Sequence, residues 1–248
     1  MANRPNSRPP ADVERIRQAI NAALDKKDTE GRVVGNAKFG VYAFYDYDGE
    51  PIYVGQTSER LRTRIRRHLT NQRTDAVAMS VLDPFEVADI AMWPLFDLEG
   101  KSPTDPAVKA QLAASEFSVY QAALAVSRFH AILNEKVISV PAGGVPDLGP
   151  PSIRARIIPD DIYALRVHPD IRVARRATTI ATLARVISER QVSKGLRTTL
   201  LTQARRLAWL AGERLGEVPE DEPVEEPGEE TGETAEERTD HGEDSDSS

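Results

Sequence analysis

The amino-acid sequence predicts an α/β fold of the α+β kind, in which a small three-stranded antiparallel sheet is flanked by helices. Three observations indicate this fold. Two strand-like segments within residues 39–55 surround an Asp-Gly turn, residues 85–97 alternate as a third strand does, and apolar residues recur at helical spacing elsewhere. The chain has 248 residues, of which 40% are hydrophobic, so it can form one or two domains with a core.

The segment before the sheet predicts one helix. Residues 1–10 are expected to be flexible, and residues 11–37 to form a helix and its lead-in. Val13, Ile16 and Ile20 recur at helical spacing, which places the helix between about residues 11 and 27. We expect this helix to serve packing.

Residues 39–55 predict a β-hairpin, because β-branched and aromatic residues lie on both sides of a tight polar turn near residues 46–50. Residues 59–71 then predict a helix whose apolar stripe consists of Leu61, Ile65 and Leu69. This stripe should dock the helix on the sheet.

Later segments complete a predicted domain at residues 38–140. Pro94 favours an edge position or an irregular end for the third strand. A long helical pattern covers residues 106–129, and Pro106 suits its first helical position. Residues 141–153 are rich in proline and glycine and predict a linker to a helical region at residues 154–216.

Composition excludes several classes of protein. The chain has no cysteine, which excludes disulfides and thiolate metal sites and favours a reducing compartment. No apolar run approaches the roughly 18 residues of a membrane span, and the first residues lack the apolar core of a signal peptide. We therefore expect a cytoplasmic protein without a membrane partner.

Charge is divided unevenly along the chain. Residues 217–248 hold 15 acidic residues and one arginine, which predicts a disordered acidic tail. Residues 154–214 hold 13 arginines and lysines against 5 acidic residues. The tail can compete with a polyanion such as a nucleic acid for this basic surface or maintain solubility, and solubility is the favoured interpretation.

Two basic amphipathic helices are predicted at residues 170–190 and 193–212. One interpretation is a DNA-binding accessory module, and the alternative is a helical cap with an ordinary charged face. The arginines on which the first interpretation depends are Arg172, Arg175, Arg176, Arg185, Arg190, Arg197, Arg205 and Arg206.

Two tripeptides on the predicted hairpin draw attention. Gly40-Val41-Tyr42 lies on the first arm and Tyr53-Val54-Gly55 on the second. Taken alone, tyrosines on a hairpin are usually cross-strand packing partners. On the following helix, however, Arg64 and His68 are four residues apart, so they share a face that lies beside the apolar stripe and should face the hairpin.

Together these motifs resemble the GIY-YIG nuclease superfamily over roughly residues 38–136, with valine in place of isoleucine in each tripeptide. The resemblance implies hydrolysis of DNA phosphodiester bonds with a divalent metal, Mg²⁺ or Mn²⁺. It implies that Tyr42 and Tyr53 line the site, one of them activating the water or contacting the phosphate. It further implies that Arg64 stabilises the transition-state charge and that His68 assists proton transfer. A cation, a proton acceptor and a metal meet the needs of this chemistry.

The resemblance also implies a glutamate metal ligand on a later helix and an asparagine just after that helix. Asn134 matches the asparagine, although Ala131 replaces the usual nearby proline. Many relatives carry the glutamate at the place of Ala122, whereas the carboxylate available here is Glu116. Either the helix or the segment that follows it is longer here than in those relatives, or the metal site is degraded. We favour Glu116 as the ligand, because it lies within an apolar stripe and a buried acid needs a partner such as a cation.

DNA is the partner that these motifs predict. A single exposed arginine would ordinarily be solvated, but a cluster beside a phosphate site favours contacts to the DNA backbone. The predicted function is a metal-dependent endonuclease, and the alternative is a DNA-binding protein that kept the scaffold and lost cleavage. The candidates for backbone contact are Arg60, Arg62, Arg66, Arg67 and Arg73.

Overall fold

The computed structural model describes residues 10–70, 81–134, 138–141 and 144–217. Within them, one antiparallel sheet runs in the order β2-β1-β3-β4. Its strands are β1 (Gly40–Tyr45), β2 (Pro51–Thr57), β3 (Asp89–Pro94) and β4 (Ile153–Arg156). The predicted antiparallel sheet flanked by helices is confirmed, but the predicted number of three strands is one too few.

The extra strand comes from a segment that the sequence assigned to the linker and the helical region. β4 has only four residues, Ile-Arg-Ala-Arg, and pairs Ile90 of β3 with its own Ala155. Such a short alternation gives little signal in the sequence. Its pairing brings the chain beyond the proline- and glycine-rich segment into the same sheet as the hairpin.

The helices begin close to their predicted positions. They are α1 (Ala11–Leu24), α2 (Leu61–Thr70), α3 (Pro106–Val126), α4 (Asp160–Arg166), α5 (Pro169–Glu189) and α6 (Lys194–Glu217). Asp105 caps α3 by accepting a hydrogen bond from the Ala107 N–H at 2.8 Å, and Pro106 takes the first helical position as predicted. Both α1 and α3 end before their predicted last residues, and α4 was not predicted.

Both faces of the sheet are buried. Tyr42 and Phe44 of β1 lie in a core to which α1, α2, α5 and α6 contribute, while Val41 and Ala43 lie in a second core with Val119 of α3. All six residues of the central strand β1 are buried. The hairpin is therefore held from both sides, which fixes the positions of the two tripeptides.

A single aspartate organises the turn between β1 and β2. Asp46 Oδ1 accepts hydrogen bonds from the N–H groups of Asp48 at 2.9 Å and Glu50 at 3.0 Å. Gly49 adopts a φ of +74°, a left-handed conformation that glycine enters at little cost. The turn is thus closed by its own side chain.

The other oxygen of Asp46 faces the C-terminal helices. Asp46 Oδ2 forms ion pairs with Arg172 at 3.5 Å, with Arg176 at 2.9 Å and with Arg206, and each of these arginines is 2% exposed. We call the group formed by these residues together with Asp48 and Glu86 the turn cluster. The interpretation of Arg172, Arg176 and Arg206 as part of a DNA-binding face is therefore wrong, because they are buried against carboxylates.

The predicted acidic tail lies outside the described residues apart from Glu217, which ends α6. In the part of the chain that the structure describes, no helix combines the length and the apolar character needed to cross a membrane.

Candidate functional site

Close approaches explain the glycines of the two tripeptides. Tyr42 pairs with Gly55 across the hairpin, and a Cβ on Gly55 would lie 2.7 Å from the Tyr42 hydroxyl oxygen. A Cβ on Gly40 would lie 2.9 Å from Leu61 Cδ1. Gly55 therefore leaves room for the Tyr42 ring, and Gly40 lets α2 dock closely on the sheet.

The two tyrosines pack with His68 of α2. Ring centroids are 6.2 Å apart for Tyr42 and Tyr53, 5.9 Å for Tyr42 and His68, and 5.2 Å for Tyr53 and His68. Burial, together with the charges of Arg64 and Arg67, lowers the pKa of His68 to about 4. Neither ring nitrogen of His68 has a hydrogen-bond partner among the described residues. His68 is therefore neutral at pH 7 and packs on the tyrosines, and its role in proton transfer stays a prediction.

Arg64 brings positive charge to the Tyr42 hydroxyl. Burial raises the pKa of Tyr42 well above its usual value, the neighbouring Tyr53 adds to this, and Arg64 opposes it. Although partial burial alone would lower the pKa of Arg64, Tyr42 and Tyr53 raise it overall. At neutral pH the pair thus presents a protonated phenol beside a guanidinium.

The outer edge of β2 is covered by the segment after α3. Asn134 accepts a hydrogen bond from the Val54 N–H at 3.1 Å and donates one to the Val54 carbonyl at 2.6 Å. The Leu133 N–H donates to the Ile52 carbonyl at 3.0 Å. Asn134 therefore takes the place of a neighbouring strand. It satisfies backbone groups of the edge strand and fixes the Tyr53-Val54-Gly55 segment.

Glu116 of α3 reaches the same edge, two residues further along β2. Burial raises the pKa of Glu116 to about 7, partly offset by hydrogen bonds from the backbone N–H and side chain of Gln56 and by the Arg64 charge. The carboxylate also influences the pKa of Tyr42, which it raises. Glu116, Gln56, Arg64 and Tyr42 therefore converge, although α2 and α3 lie on opposite faces of the sheet.

Several polar atoms at this point lack partners. The Tyr42 hydroxyl, Gln56 Oε1 and Arg64 Nε are buried without a well-aligned hydrogen-bond partner among the described residues. Buried polar groups are ordinarily satisfied, and because Gln56 and Arg64 are partly exposed, a ligand from solvent can reach this point and complete the bonding. A phosphate group offers acceptors for the guanidinium and the phenol.

A divalent metal fits this donor set. No group of three histidine, aspartate or glutamate side chains that could enclose a metal occurs in the described ranges. Mg²⁺, however, usually binds through one or two carboxylates and keeps waters and substrate phosphates as its other ligands. Glu116 would supply the carboxylate, and Gln56 Oε1, which lacks a partner among the described residues, would supply a second protein oxygen nearby.

The arginines proposed for DNA backbone contact lie in different surroundings. Arg62 forms an ion pair with Asp25 at 2.8 Å, Arg66 donates to Asn21 at 2.9 Å, and Arg67 pairs with Glu59 at 2.6 Å. The first two therefore contact α1 or the residue after it. Arg60 is exposed at the start of α2, and Arg73 lies outside the described residues.

Gln56 is the site residue that the sequence did not indicate. It follows Tyr53-Val54-Gly55 directly and holds Glu116 through its backbone and its side chain. Period-two alternation along β2 predicts that Gln56 lies on the same face as Val54. In the structure, α3 packs on that face. Nothing in the local pattern shows that Glu116, 60 positions later in the sequence, meets it there.

Comparison with known families gives one match. Residues 38–96 match the GIY-YIG catalytic domain family. The matched region includes β1, β2, α2 and β3, and with them both tripeptides, Arg64 and His68, whereas Glu116 and Asn134 lie beyond it. Searches of curated proteins and of solved structures found no match to the chain.

Proposed function

We propose that the protein is a metal-dependent endonuclease that hydrolyses DNA phosphodiester bonds, because residues 38–96 match the GIY-YIG catalytic domain family, which generally consists of endonucleases. The observation that carries the proposal is the convergence of Arg64, Tyr42 and Glu116 at the outer edge of β2. A cation, a hydrogen-bond donor and a carboxylate are the groups that phosphoryl chemistry requires.

Arg64 and Tyr42 are assigned to the phosphate. The guanidinium binds the phosphate oxygens and stabilises the charge that develops on them in the transition state. The raised pKa of Tyr42 keeps its hydroxyl protonated at neutral pH, so it serves as a hydrogen-bond donor and not as a base. Tyr53, the more exposed of the two, is then assigned to orient the attacking water.

Glu116 is assigned to hold the divalent cation, with Gln56 orienting the carboxylate. A bound metal supplies polarisation of the phosphate and neutralises its charge. A nearby cation would also favour the charged form of Glu116, whose pKa of about 7 leaves it partly protonated otherwise. Asn134 keeps the β2 edge in place while these groups act.

The test is a plasmid-nicking assay with Mg²⁺ or Mn²⁺, and with EDTA as the metal-free control. Wild-type protein should cut only with metal, and Glu116→Ala and Arg64→Ala should each lose cutting. Glu14→Ala and Arg17→Ala change exposed residues of α1 and are the matched controls, which should cut normally. Normal cutting by Glu116→Ala would contradict the metal assignment.

A DNA-binding protein that lost cleavage is the second candidate. The observation that favours it is that Glu116 does not stand where many relatives carry the metal ligand, and no group of three possible metal-binding side chains occurs in the described residues. Wild-type protein that binds duplex DNA but does not cut it with any divalent metal would establish this candidate over the first. We assign either activity to the cytoplasm, in keeping with the absence of cysteine.

A further inference from the structure

The structure separates the basic residues of the C-terminal helices into two groups. Arg172, Arg176 and Arg206 are buried in the turn cluster, as described above. Lys194, Arg197 and Arg205 of α6 are exposed, and they have no ion-pair partner among the residues that the structure describes. Burial thus makes Arg172, Arg176 and Arg206 inaccessible to a ligand, whereas Lys194, Arg197 and Arg205 stay accessible.

The exposed cations share one face of α6. Arg197, Leu201 and Arg205 are spaced by four residues, and Lys194 precedes Arg197 by three, which is the spacing of neighbours along a helix face. Leu201 on this face is 52% exposed. We call Lys194, Arg197, Leu201 and Arg205 the α6 basic face, which presents three unpaired positive charges around one exposed apolar side chain.

The chain itself supplies a polyanion at the end of this helix. α6 ends at Glu217, and residues 218–248 follow it with 14 acidic residues and one arginine. From residue 217 back to Lys194 the helix spans about 35 Å at about 1.5 Å per residue. A segment of 31 residues can extend up to roughly 100 Å, so it has ample length to return along the helix.

We propose that residues 218–248 bind the α6 basic face and compete there with the phosphates of DNA. A tethered segment acts at an effective concentration of roughly millimolar, so even a weak electrostatic contact is populated. Carboxylates and phosphates neutralise the same cations, so a bound tail excludes DNA from the face. The attraction is strongest at low salt and falls as the screening length drops to about 10 Å at 0.1 M. The competition rests on the proposed action on DNA, whereas the tail contact does not.

The contact can be observed directly, because the chain has no cysteine and a single introduced thiol is unique. A nitroxide attached after Ser245→Cys should broaden the amide NMR signals of residues 194–205 in DNA-free protein at low salt. The combined change Lys194→Gln, Arg197→Gln and Arg205→Gln should remove this broadening. The control Arg17→Gln, Lys26→Gln and Lys109→Gln alters the same charge on exposed residues of other segments and should retain it. Unbroadened α6 signals, or equal broadening in both variants, would overturn the proposal.

The competition is measured by fluorescence anisotropy with a short labelled DNA duplex in EDTA, which prevents cutting. Truncation after Glu217 should raise DNA affinity about tenfold at low salt, and the gain should vanish at high salt. The neutralised α6 variant should show no gain on truncation. Equal affinities with and without the tail would overturn the competition. Tail contact in NMR with no DNA binding by any variant would contradict the proposed function and leave the tail contact standing.

Discussion

Arginine and carboxylate side chains gather at both ends of the β1–β2 hairpin, but they are paired in different ways. At the turn, Asp46 meets three arginines that are each 2% exposed. At the open end, Arg64 and Glu116 stay partly exposed, and neither forms an ion pair among the described residues. The same chemical groups therefore hold the fold at one end and remain available to a ligand at the other.

The difference follows from what happens to charge when it is buried. An ion pair taken out of water costs desolvation energy that its own attraction must offset, so removing one partner leaves a charge without compensation. At the open end Arg64 and Glu116 keep contact with water, so their charges need no buried partner and stay accessible to a ligand. Mutations at the two ends should accordingly separate stability from activity.

The largest effect is expected at the turn. Asp46→Asn keeps an oxygen for the turn N–H groups but removes the charge that faces the buried arginines. The free energy of unfolding should fall by about 3–5 kcal/mol, measured by urea denaturation. Asp12→Ala, at an exposed ion pair on α1, is the control and should stay within about 0.5 kcal/mol of wild type. A similar small change for Asp46→Asn would show that the turn cluster does not hold the hairpin.

Arg64→Ala should have the converse effect. The cleavage rate should fall by about 10²–10³-fold, as expected for loss of a group that stabilises transition-state charge. The free energy of unfolding should change little, because Arg64 forms no ion pair with a buried carboxylate among the described residues. Arg176→Ala is the comparison: it should lower stability and leave the rate per folded molecule unchanged. If Arg64→Ala unfolds the protein and Arg176→Ala abolishes cleavage, the distinction between the two ends is wrong.

The next effect is pH dependence of stability in metal-free protein. The pKa of His68 is about 4 when folded and 6.5 ordinarily, so the unfolded chain takes up the proton first and stability falls as pH drops from about 6.5 to 4. This amounts to about 3 kcal/mol at most. The pKa of Glu116 is about 7 when folded and 4.5 ordinarily, so the folded protein takes up the proton first and stability rises as pH drops from about 7 to 4.5.

The two contributions offset each other in the wild type and are separated by substitution. Glu116→Gln leaves the His68 effect, so its stability should be lower at pH 4.5 than at pH 7. His68→Phe leaves the Glu116 effect, so its stability should change in the opposite direction. Urea denaturation in EDTA at both pH values checks this. If the free energy of unfolding changes with pH in the same direction in both variants, one of the two pKa shifts is excluded.

The smallest effect concerns the covered edge of β2. Asn134→Ala removes both hydrogen bonds to Val54 and should lower the free energy of unfolding by about 1–3 kcal/mol, since it leaves a backbone N–H and C=O unpaired. The cleavage rate should fall as well, because Tyr53 and Gly55 flank the released residue. Asn36→Ala, in a short helical turn away from this edge, is the control for loss of an asparagine. Stability equal to wild type would show that water replaces the side chain.

The sequence by itself determined the elements that depend on neighbouring residues. The hairpin followed from its polar turn, α3 from Pro106 and the helical pattern of residues 106–129, and the docking of α2 from the spacing of Leu61 and Ile65. The tripeptides indicated the family. Their glycines are required because a larger side chain would collide with Tyr42 or Leu61. These features are set within a few residues of chain, so periodicity and turn chemistry suffice to predict them.

Only the tertiary structure decided which distant groups meet. Asp46 and Arg206 are 160 residues apart, and Asn134 reaches Val54 across 80. The added strand β4, the burial of three C-terminal arginines and the contact of Gln56 with Glu116 also depend on tertiary packing. The residues that neighbour a charged side chain in the sequence do not show whether it will be solvated or buried. Its partner depends on which distant segments pack against it. Packing pairs Asp46 with buried arginines, whereas Arg64 forms no ion pair among the described residues and stays available for the proposed site.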